Sequence, residues 1–108
     1  MRILFDQGTP VTIRDALQGH SVRTANEEGW NTLANGDLLR VAEAAGFDVL
    51  LTTDTGVAHQ QNLKGRKLAV VILSRNRWKL IQPRMTEIVA AVNEAKPGTF
   101  LVVEIPDR

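Results

Sequence analysis

Short apolar runs separated by polar, helix-like segments recur along the whole chain. Four of these runs predict β-strands, because they are rich in β-branched and large apolar residues and are bounded by turn-forming residues. A fifth strand is predicted from the weaker signal of Ser21–Thr24, in which Val22 is the one apolar residue. The five predicted strands are Arg2–Phe5, Ser21–Thr24, Asp48–Thr53, Lys67–Leu73 and Thr99–Ile105. The third and fourth runs are apolar at successive positions, which indicates strands that are buried on both faces of a sheet.

Helical signals occupy the gaps between the first three strands. Thr9 is placed to cap a short helix that has Pro10 as its first residue, the positions that a threonine cap and a first-turn proline prefer. Asn35 or Gly36 can cap a second helix, and Gly46 is expected just beyond its end, where glycine adopts the left-handed conformation that stops a helix.

Two further helical segments follow the third and fourth strands. One or two helical turns are expected over 57–63. A longer helix is predicted over about 78–95, because apolar residues recur there at helical spacing: Ile81, Met85, Ile88, Val89 and Val92. Pro83 is expected to kink this helix or to mark its first turn, since proline cannot donate a backbone hydrogen bond.

Alternating strands and helices predict an α/β fold. The expected architecture is a three-layer sandwich, a mainly parallel sheet with helices on both faces. The length of 108 residues predicts a single domain over 1–108. Apolar residues make up 44% of the chain and charged residues 23%, which is typical of a globular protein with a substantial core.

Composition excludes several classes of site. The chain has no cysteine, so disulfides, thiolate metal sites and cysteine nucleophiles are excluded, and a cytoplasmic location is expected. No apolar run is long enough for a membrane helix, and the opening MRILFD is too short and too soon charged for a signal peptide. Metal ligands must come from oxygen atoms or from His20 and His59, of which His59 is also a candidate contact for a phosphate or sugar.

Positive charge is concentrated in the middle of the chain. Residues 55–86 hold seven bases and no acid, although the net charge of the chain is only +1. The bases are Lys64, Arg66, Lys67, Arg75, Arg77, Lys79 and Arg84. One interpretation is a surface that faces a polyanion. The other, which we slightly favour, is a set of solvated loop charges whose acidic partners come from elsewhere in the fold.

Three carboxylates are predicted near one edge of the sheet. Asp6 ends the first strand, Asp54 ends the third, and Asp37 lies in the first turn of a helix. Open α/β sheets bind ligands beyond the carboxyl ends of their strands, and clustered carboxylates there suit Mg²⁺ or Mn²⁺ and metal-assisted attack of water on a phosphodiester. Each acid also has a structural explanation, as a turn former, as a partner of the helix dipole, or as a cap.

Several blocks of sequence resemble those of small bacterial PIN-like proteins. The opening RILFDQGTP is similar to their ILxDENLP start, and GWNTLANGDLL to their GWxGxxNGELL block. The longest block, FDVLLTTDTGVAHQQNLKGRKLAVVIL, is similar to FDVLLTxDxNLxYQQNLxGRxxAVVxL in a largely uncharacterised subgroup that carries QQNL. The resemblance covers nearly the whole chain, with the blocks in the same order and spacing, and implies a PIN-like, Rossmann-related fold.

The resemblance also implies an activity and a site. PIN domains proper, including VapC-type toxins, are metal-dependent ribonucleases with acids at the strand ends. By resemblance, Asp6, Asp37 and Asp54 are the catalytic and metal-binding acids, with Mg²⁺ or Mn²⁺ as cofactor, and Thr52 is the supporting threonine of the T-x-D motif. Many relatives carry a further acid where this chain has Gly56 or Val57, so three acids remain.

Three functions are therefore expected in order of preference. The first is a metal-dependent ribonuclease, as the toxin of a toxin–antitoxin pair, with RNA held by the basic residues Lys64, Arg66, Lys67, Arg75, Arg77 and Lys79. Its partners would be RNA, a small antitoxin-like protein and a second copy of the chain, with no membrane.

The second expected function is a catalytically degenerate domain that binds RNA or a protein. The third is a receiver-like phosphoacceptor, since Asp6, Asp54 and Ser74 follow the first, third and fourth strands. Receivers, however, have a pair of acids after the first strand and a lysine after the last strand. This chain has neither feature.

Overall fold

The five predicted strands form one sheet in which every neighbouring pair is parallel. The structure is a computed structural model that describes residues 1–57 and 62–107. The strands are β1 (Arg2–Phe5), β2 (Ser21–Thr24), β3 (Val49–Thr52), β4 (Ala69–Leu73) and β5 (Phe100–Val103). Their spatial order is β2-β1-β3-β4-β5, and the α/β class is confirmed.

Helices lie between the strands in sequence. The first connection holds a 3₁₀ helix (Val11–Ala16), and the second holds helix α1 (Asn35–Ala44). The predicted helix over about 78–95 is divided into α2 (Trp78–Ile81), a 3₁₀ turn (Gln82–Arg84) and α3 (Met85–Glu94). Pro83 lies inside that turn, so its missing N–H accounts for the break.

The predicted cap at Thr9 is wrong. Pro10 stands at the N-cap of the 3₁₀ helix, and no side chain caps it. The hydroxyl of Thr9 is buried and donates instead to the carbonyl of Leu51, at 3.0 Å. This hydrogen bond connects the chain after β1 to β3. Because the Thr9 hydroxyl is used in this tertiary contact, it does not cap the helix.

The predicted cap of α1 is also wrong, whereas its end is confirmed. Ala34 occupies the N-cap of α1 without a side-chain hydrogen bond, and the Asn35 side chain contacts another residue, described below. At the other end, Gly46 follows the C-cap residue Ala45 with a φ of 86°. A side chain would strain this conformation, so glycine is the residue that stops α1 here.

The buried residues of the strands fall into two hydrophobic clusters by alternation, as the period of two in a β-strand requires. Ile3, Phe5 and Leu51 belong to a cluster that also holds Ile88 and Val92 of α3. The other cluster joins strand and α1 residues: Leu4, Leu50, Val70, Ile72, Leu38, Leu39 and Ala42. Every residue of β3 and β4 is buried, which confirms the prediction made from their continuous apolar sequence.

Part of the prediction over 57–63 lies outside the described residues. His59 and the two glutamines of the QQNL block belong to the segment 58–61, so the predicted turns and the role considered for His59 stay predictions. In the ranges 1–57 and 62–107, no helix combines the length and the apolar character that a membrane crossing requires.

Candidate functional site at the carboxyl ends of β1 and β3

The strand order creates a crevice between β1 and β3. The chain passes from β1 outward to β2 on one side and from β3 outward to β4 on the other, so the direction of winding reverses between β1 and β3. Such a reversal leaves the carboxyl ends of the two strands open to a ligand. Asp6 follows β1 directly, and Asp54 lies two residues beyond the end of β3. The fold therefore places both acids at the edge that the sequence predicted.

Thr52 connects the two acids. Its hydroxyl donates to Oδ2 of Asp6, and the same hydroxyl oxygen accepts the backbone N–H of Asp54 at 3.0 Å. The Thr52 side chain lies inside the protein, with only 1% of the residue exposed. Because the hydroxyl is shielded from water, it fixes the Asp6 carboxylate relative to the backbone at Asp54.

The Asp54 carboxylate is held through both oxygen atoms. Oδ1 accepts the backbone N–H of Gly56 at 2.9 Å, which closes a local turn, and Oδ2 accepts the side-chain amide of Asn35 at 2.7 Å. The turn shows that Asp54 has the structural role expected of a turn former. A carboxylate offers about four lone-pair positions, so these two bonds leave capacity for a cation at an exposed side chain.

The loop after β1 packs closely against the end of β3. A Cβ atom at Gly8 would lie 2.8 Å from the hydroxyl oxygen of Thr53, well inside ordinary van der Waals contact. The backbone N–H of Asp6 also donates to the carbonyl of Leu51 at 3.0 Å, which extends the pairing of β1 with β3 by one residue. Gly8 therefore allows the approach that keeps Asp6 at the crevice.

Asn35, rather than Asp37, is the α1 residue that contacts this site. Asp37 is exposed, and its carboxylate lies 3.5 Å from the guanidinium of Arg40 on the same helix. Side chains two residues apart on a helix do not face the same way. Because the Asn35 side chain points to Asp54, the Asp37 side chain points away from it. The sequence interpretation considered Asn35 only as a cap. Its position as the first residue of a helix that begins beside a crevice was the available signal.

The carboxylate oxygens of Asp6 and Asp54 are suitable ligands for a Mg²⁺ ion that retains several water ligands. Within the part of the chain that the structure describes, no three acidic, histidine or cysteine side chains are grouped closely enough to hold a metal ion. Asp6 and Asp54 supply hard oxygen donors. Mg²⁺ is often bound by one or two carboxylates, waters and substrate phosphates. The two acids fit that mode, whereas the three-acid set with Asp37 is not brought together.

The basic residues divide between the two ends of β4. Lys64, Arg66 and Lys67 precede the strand, whereas Arg75, Arg77 and Lys79 follow it. In a parallel sheet the residues after β4 lie at the same edge as Asp6 and Asp54, and those before it lie at the opposite edge. The predicted RNA-binding set is therefore not one continuous surface.

Several of these bases have acidic partners from other parts of the fold. Arg66 lies 2.9 Å from Glu43 of α1, and Arg75 lies 2.7 Å from Asp107. Glu43 also accepts the backbone N–H of Lys67 at 3.1 Å. That hydrogen bond, followed by the one from Arg66, lowers the pKa of Glu43. These pairs support the interpretation of the basic segment as solvated charges with distant partners.

Glu27, a further acidic residue near the carboxyl ends of the strands, makes contacts that are local to β2 and its flanking turns. Glu27 accepts the backbone N–H of Thr24, the last residue of β2, at 2.8 Å and the guanidinium of Arg14 at 2.7 Å. The hydrogen bond from Thr24 is the largest cause of the lowered pKa of Glu27, and the Arg14 contact adds to it. The carboxylate of Glu27 accepts both hydrogen bonds and so ties the turn after β2 to the end of β2 and to Arg14, which makes Glu27 a structural acid rather than a site residue.

Comparison with known proteins assigns no family to the chain. No protein-family model matches it, and neither a curated protein nor a solved structure does. The similarity to PIN-like proteins therefore depends on the sequence blocks alone and stays a prediction.

Proposed function

We propose that the protein is a cytoplasmic, PIN-like, Mg²⁺- or Mn²⁺-dependent ribonuclease. The observation that carries the proposal is the placement of Asp6 and Asp54 at the same crevice between β1 and β3, where Thr52 ties the carboxylate of Asp6 to the backbone of Asp54. Two carboxylates at a crevice of this kind provide the negative charge that a hydrated divalent cation requires.

Each residue of the site has a proposed role. A bound cation would polarise the phosphodiester and activate water, and Asp6 and Asp54 would hold it. Thr52 keeps Asp6 in place, and Asn35 keeps Asp54 in place. Arg77 and Lys79 follow β4 at the same edge and are exposed, so they are the bases best placed to contact RNA phosphates. Asp37 stays in the proposal only through the family resemblance.

The finer architecture is part of the same proposal. The two hydrophobic clusters, one with α3 and one with α1, support a three-layer sandwich in which helices cover both faces of the sheet. A PIN-like fold of this kind, acting as the toxin of a toxin–antitoxin pair, would have a small protein partner. The sequence blocks support this part of the proposal.

Cleavage of RNA tests the proposal directly. Purified protein is incubated with structured and single-stranded RNA in the presence of Mn²⁺ or EDTA, beside Asp54→Asn and Asp6→Asn. We expect cleavage that requires metal and is lost in both variants, because each substitution removes a carboxylate from the crevice. Metal-dependent cleavage that survives in Asp54→Asn would contradict the role of Asp54.

A catalytically degenerate domain that binds RNA or protein is the second candidate. The observation that favours it is the lack, among the described residues, of any three grouped acidic, histidine or cysteine side chains. Calorimetry at millimolar Mn²⁺ separates the two functions. Salt-dependent RNA binding without metal binding would support the degenerate domain.

A receiver-like phosphoacceptor is the third candidate, and the strand order favours it. The order β2-β1-β3-β4-β5 is shared by flavodoxin and CheY. Against it, the hydroxyl oxygen of Ser74 is already engaged by the backbone N–H of Ile105 at 2.7 Å, and no lysine stands between β5 and Asp107. Labelling of Asp54 by acetyl phosphate, absent in Asp54→Asn, would establish this function.

A further inference from the structure

β5 forms an edge of the sheet in the ranges 1–57 and 62–107. β5 ends the sheet and pairs only with β4 in the described part of the chain. The carbonyls of Thr99 and Val103 accept N–H groups from the β4 side, at 3.0 and 3.1 Å. Because backbone groups alternate in direction along a strand, those of Phe100 and Val102 point to the open side. Their donors and acceptors are available to another extended chain.

An apolar groove runs beside this edge. It has a volume of about 420 Å³ and lies between β5 and α3. Two alanines, Ala90 and Ala91, form its helix side, and Leu101 and Val103 contribute from the strand. Val102 also lines the groove and is 47% exposed. Small helix residues next to a free strand edge leave room for the side chains of an added strand.

Carboxylates surround the groove. Glu87 and Glu94 lie on the same face of α3 as the two alanines, since these positions follow the i, i+3, i+4, i+7 spacing. Glu104 follows β5 and lines the groove as well. Glu87 lies 3.1 Å from Arg84. Among the residues that the structure describes, Glu94 and Glu104 form no ion pair, so their charge is available to a partner.

The carboxylates decide which occupant fits. Antiparallel pairing of two β5 strands would bring two α3 helices side by side, with Glu87 of one copy near Glu94 of the other. Like charges in such positions oppose association. A partner strand that carries lysine or arginine would meet complementary charge at the same positions.

We propose that the edge of β5 and the adjacent face of α3 bind an extended, positively charged segment of another protein, which adds to the sheet as a sixth strand. Main-chain hydrogen bonds to Phe100 and Val102 give affinity, the groove accepts small apolar side chains, and Glu94 and Glu104 select basic ones. This surface is separate from the crevice of Asp6 and Asp54, so the inference does not rest on the proposed ribonuclease.

A synthetic peptide tests the surface. The probe has about ten residues and places both valine and lysine on each of its two faces, so that the face toward α3 can fill the groove and also meet Glu94. It is titrated into the ¹⁵N-labelled full chain and followed by amide chemical shifts. We expect saturable shifts confined to α3, β5 and residue 104. The control peptide has the same sequence and charge but carries N-methyl groups on alternate amides, so it cannot pair with an edge strand.

Two variants distinguish the contribution of main-chain pairing with β5 from that of the carboxylates around the groove. Val102→Pro removes an N–H that points to the open side and leaves the pairing with β4 intact, as proline permits on edge strands. We expect at least a tenfold loss of affinity. Glu94→Gln with Glu104→Gln, both at exposed positions, is expected to lower affinity roughly three- to tenfold through lost ion pairs.

Three results would overturn the inference. The first is equal binding of the N-methylated peptide, and the second is unchanged affinity in the double glutamine variant. The third is a dimer in sedimentation that the Glu94→Gln, Glu104→Gln variant strengthens, which would show that a second copy is the occupant.

Discussion

At the residue scale, Thr52 is the side chain on which the site geometry depends. One buried hydroxyl donates to Asp6 and accepts from the backbone of Asp54. The backbone N–H of Asp6 already bonds to the carbonyl of Leu51, and the Thr52 hydroxyl adds a contact that joins the Asp6 side chain to the chain after β3. Thr52 therefore links the ends of β1 and β3, whatever reaction takes place there.

Thr52→Val should destabilise the protein by about 1–3 kcal/mol, because the isosteric change leaves the N–H of Asp54 without its buried acceptor. The free energy of unfolding in denaturant measures the effect. Thr52→Ser is the matched control, since it keeps the hydroxyl and loses only a methyl group. A valine variant more stable than the serine variant would show that the hydroxyl contacts contribute little.

Substitutions of Asn35 and Asp37 should have different effects on metal affinity. The family resemblance makes Asp37 a metal ligand together with Asp6 and Asp54, whereas the structure places the Asn35 amide 2.7 Å from the Asp54 carboxylate. If the wild-type chain binds Mn²⁺, Asn35→Ala should weaken binding roughly 10- to 100-fold, as the loss of a hydrogen bond to a ligand does. Asp37→Ala should change it less than about twofold, because exposed charges act weakly through solvent.

Calorimetry with Mn²⁺ measures both variants, and thermal unfolding checks that each is folded. A larger loss in Asp37→Ala than in Asn35→Ala would restore the sequence interpretation of α1. No binding by the wild-type chain would instead contradict the proposed function, so the two failures are distinguishable.

At the scale of elements, the sequence located the strands more accurately than the helices. β1 and β2 have the predicted bounds, and β3, β4 and β5 are each shorter by one or two residues at one or both ends. Strand positions follow from apolar runs that must be buried. The helix start at Thr9 was wrong because its hydroxyl bonds to Leu51, a contact that exists only after β1 and β3 pair. Local capping rules cannot anticipate such a contact.

The connection after β1 is sensitive to a single methyl group. Gly8→Ala would place a Cβ atom 2.8 Å from Oγ1 of Thr53. We expect a loss of about 1 kcal/mol in the free energy of unfolding, at the low end for overpacking because a threonine side chain can rotate. Thr53→Ala removes the clashing atom. The double variant should therefore recover most of the loss relative to Thr53→Ala, and additive losses would contradict the clash.

At the scale of the whole molecule, the order of the strands in the sheet is the feature that could not be predicted from the sequence. Asp6 and Asp54 could be predicted at strand ends, but only the pairing of β1 with β3 makes them neighbours. The basic residues were grouped in sequence, yet β4 separates them because a strand carries its two flanking segments to opposite edges. Asn35 was missed for the same reason, since its partner lies 19 residues away.

Stability should fall in acid partly through Glu43, which joins α1 to the segment before β4. Its pKa is below the ordinary value of 4.5, chiefly because it accepts the N–H of Lys67 and then because of Arg66. A carboxylate with a lowered folded pKa stabilises the protein above pH 4.5, and this contribution disappears as pH falls through the folded pKa. Glu43→Gln should therefore be less stable than the wild-type protein at pH 7, and the difference should shrink as the pH falls below 4.5.

Thermal unfolding from pH 7 to pH 3 measures this convergence. Glu94→Gln is the control, because Glu94 forms no ion pair with another described residue. A constant difference between Glu43→Gln and the wild-type protein across that range would contradict the assigned role of Glu43.

The position of β1 inside the sheet, between β2 and β3, also has a consequence for folding. Thr52 and Asp6 are 46 residues apart in sequence, and β1 is hydrogen-bonded on both sides, to β2 and to β3. Contacts between such distant segments form late and slow the folding of a chain. A chain in which β1 and β3 have not yet paired therefore lacks the crevice. Any activity or ligand binding at Asp6 and Asp54 should appear in a single step with the final pairing of β1 and β3.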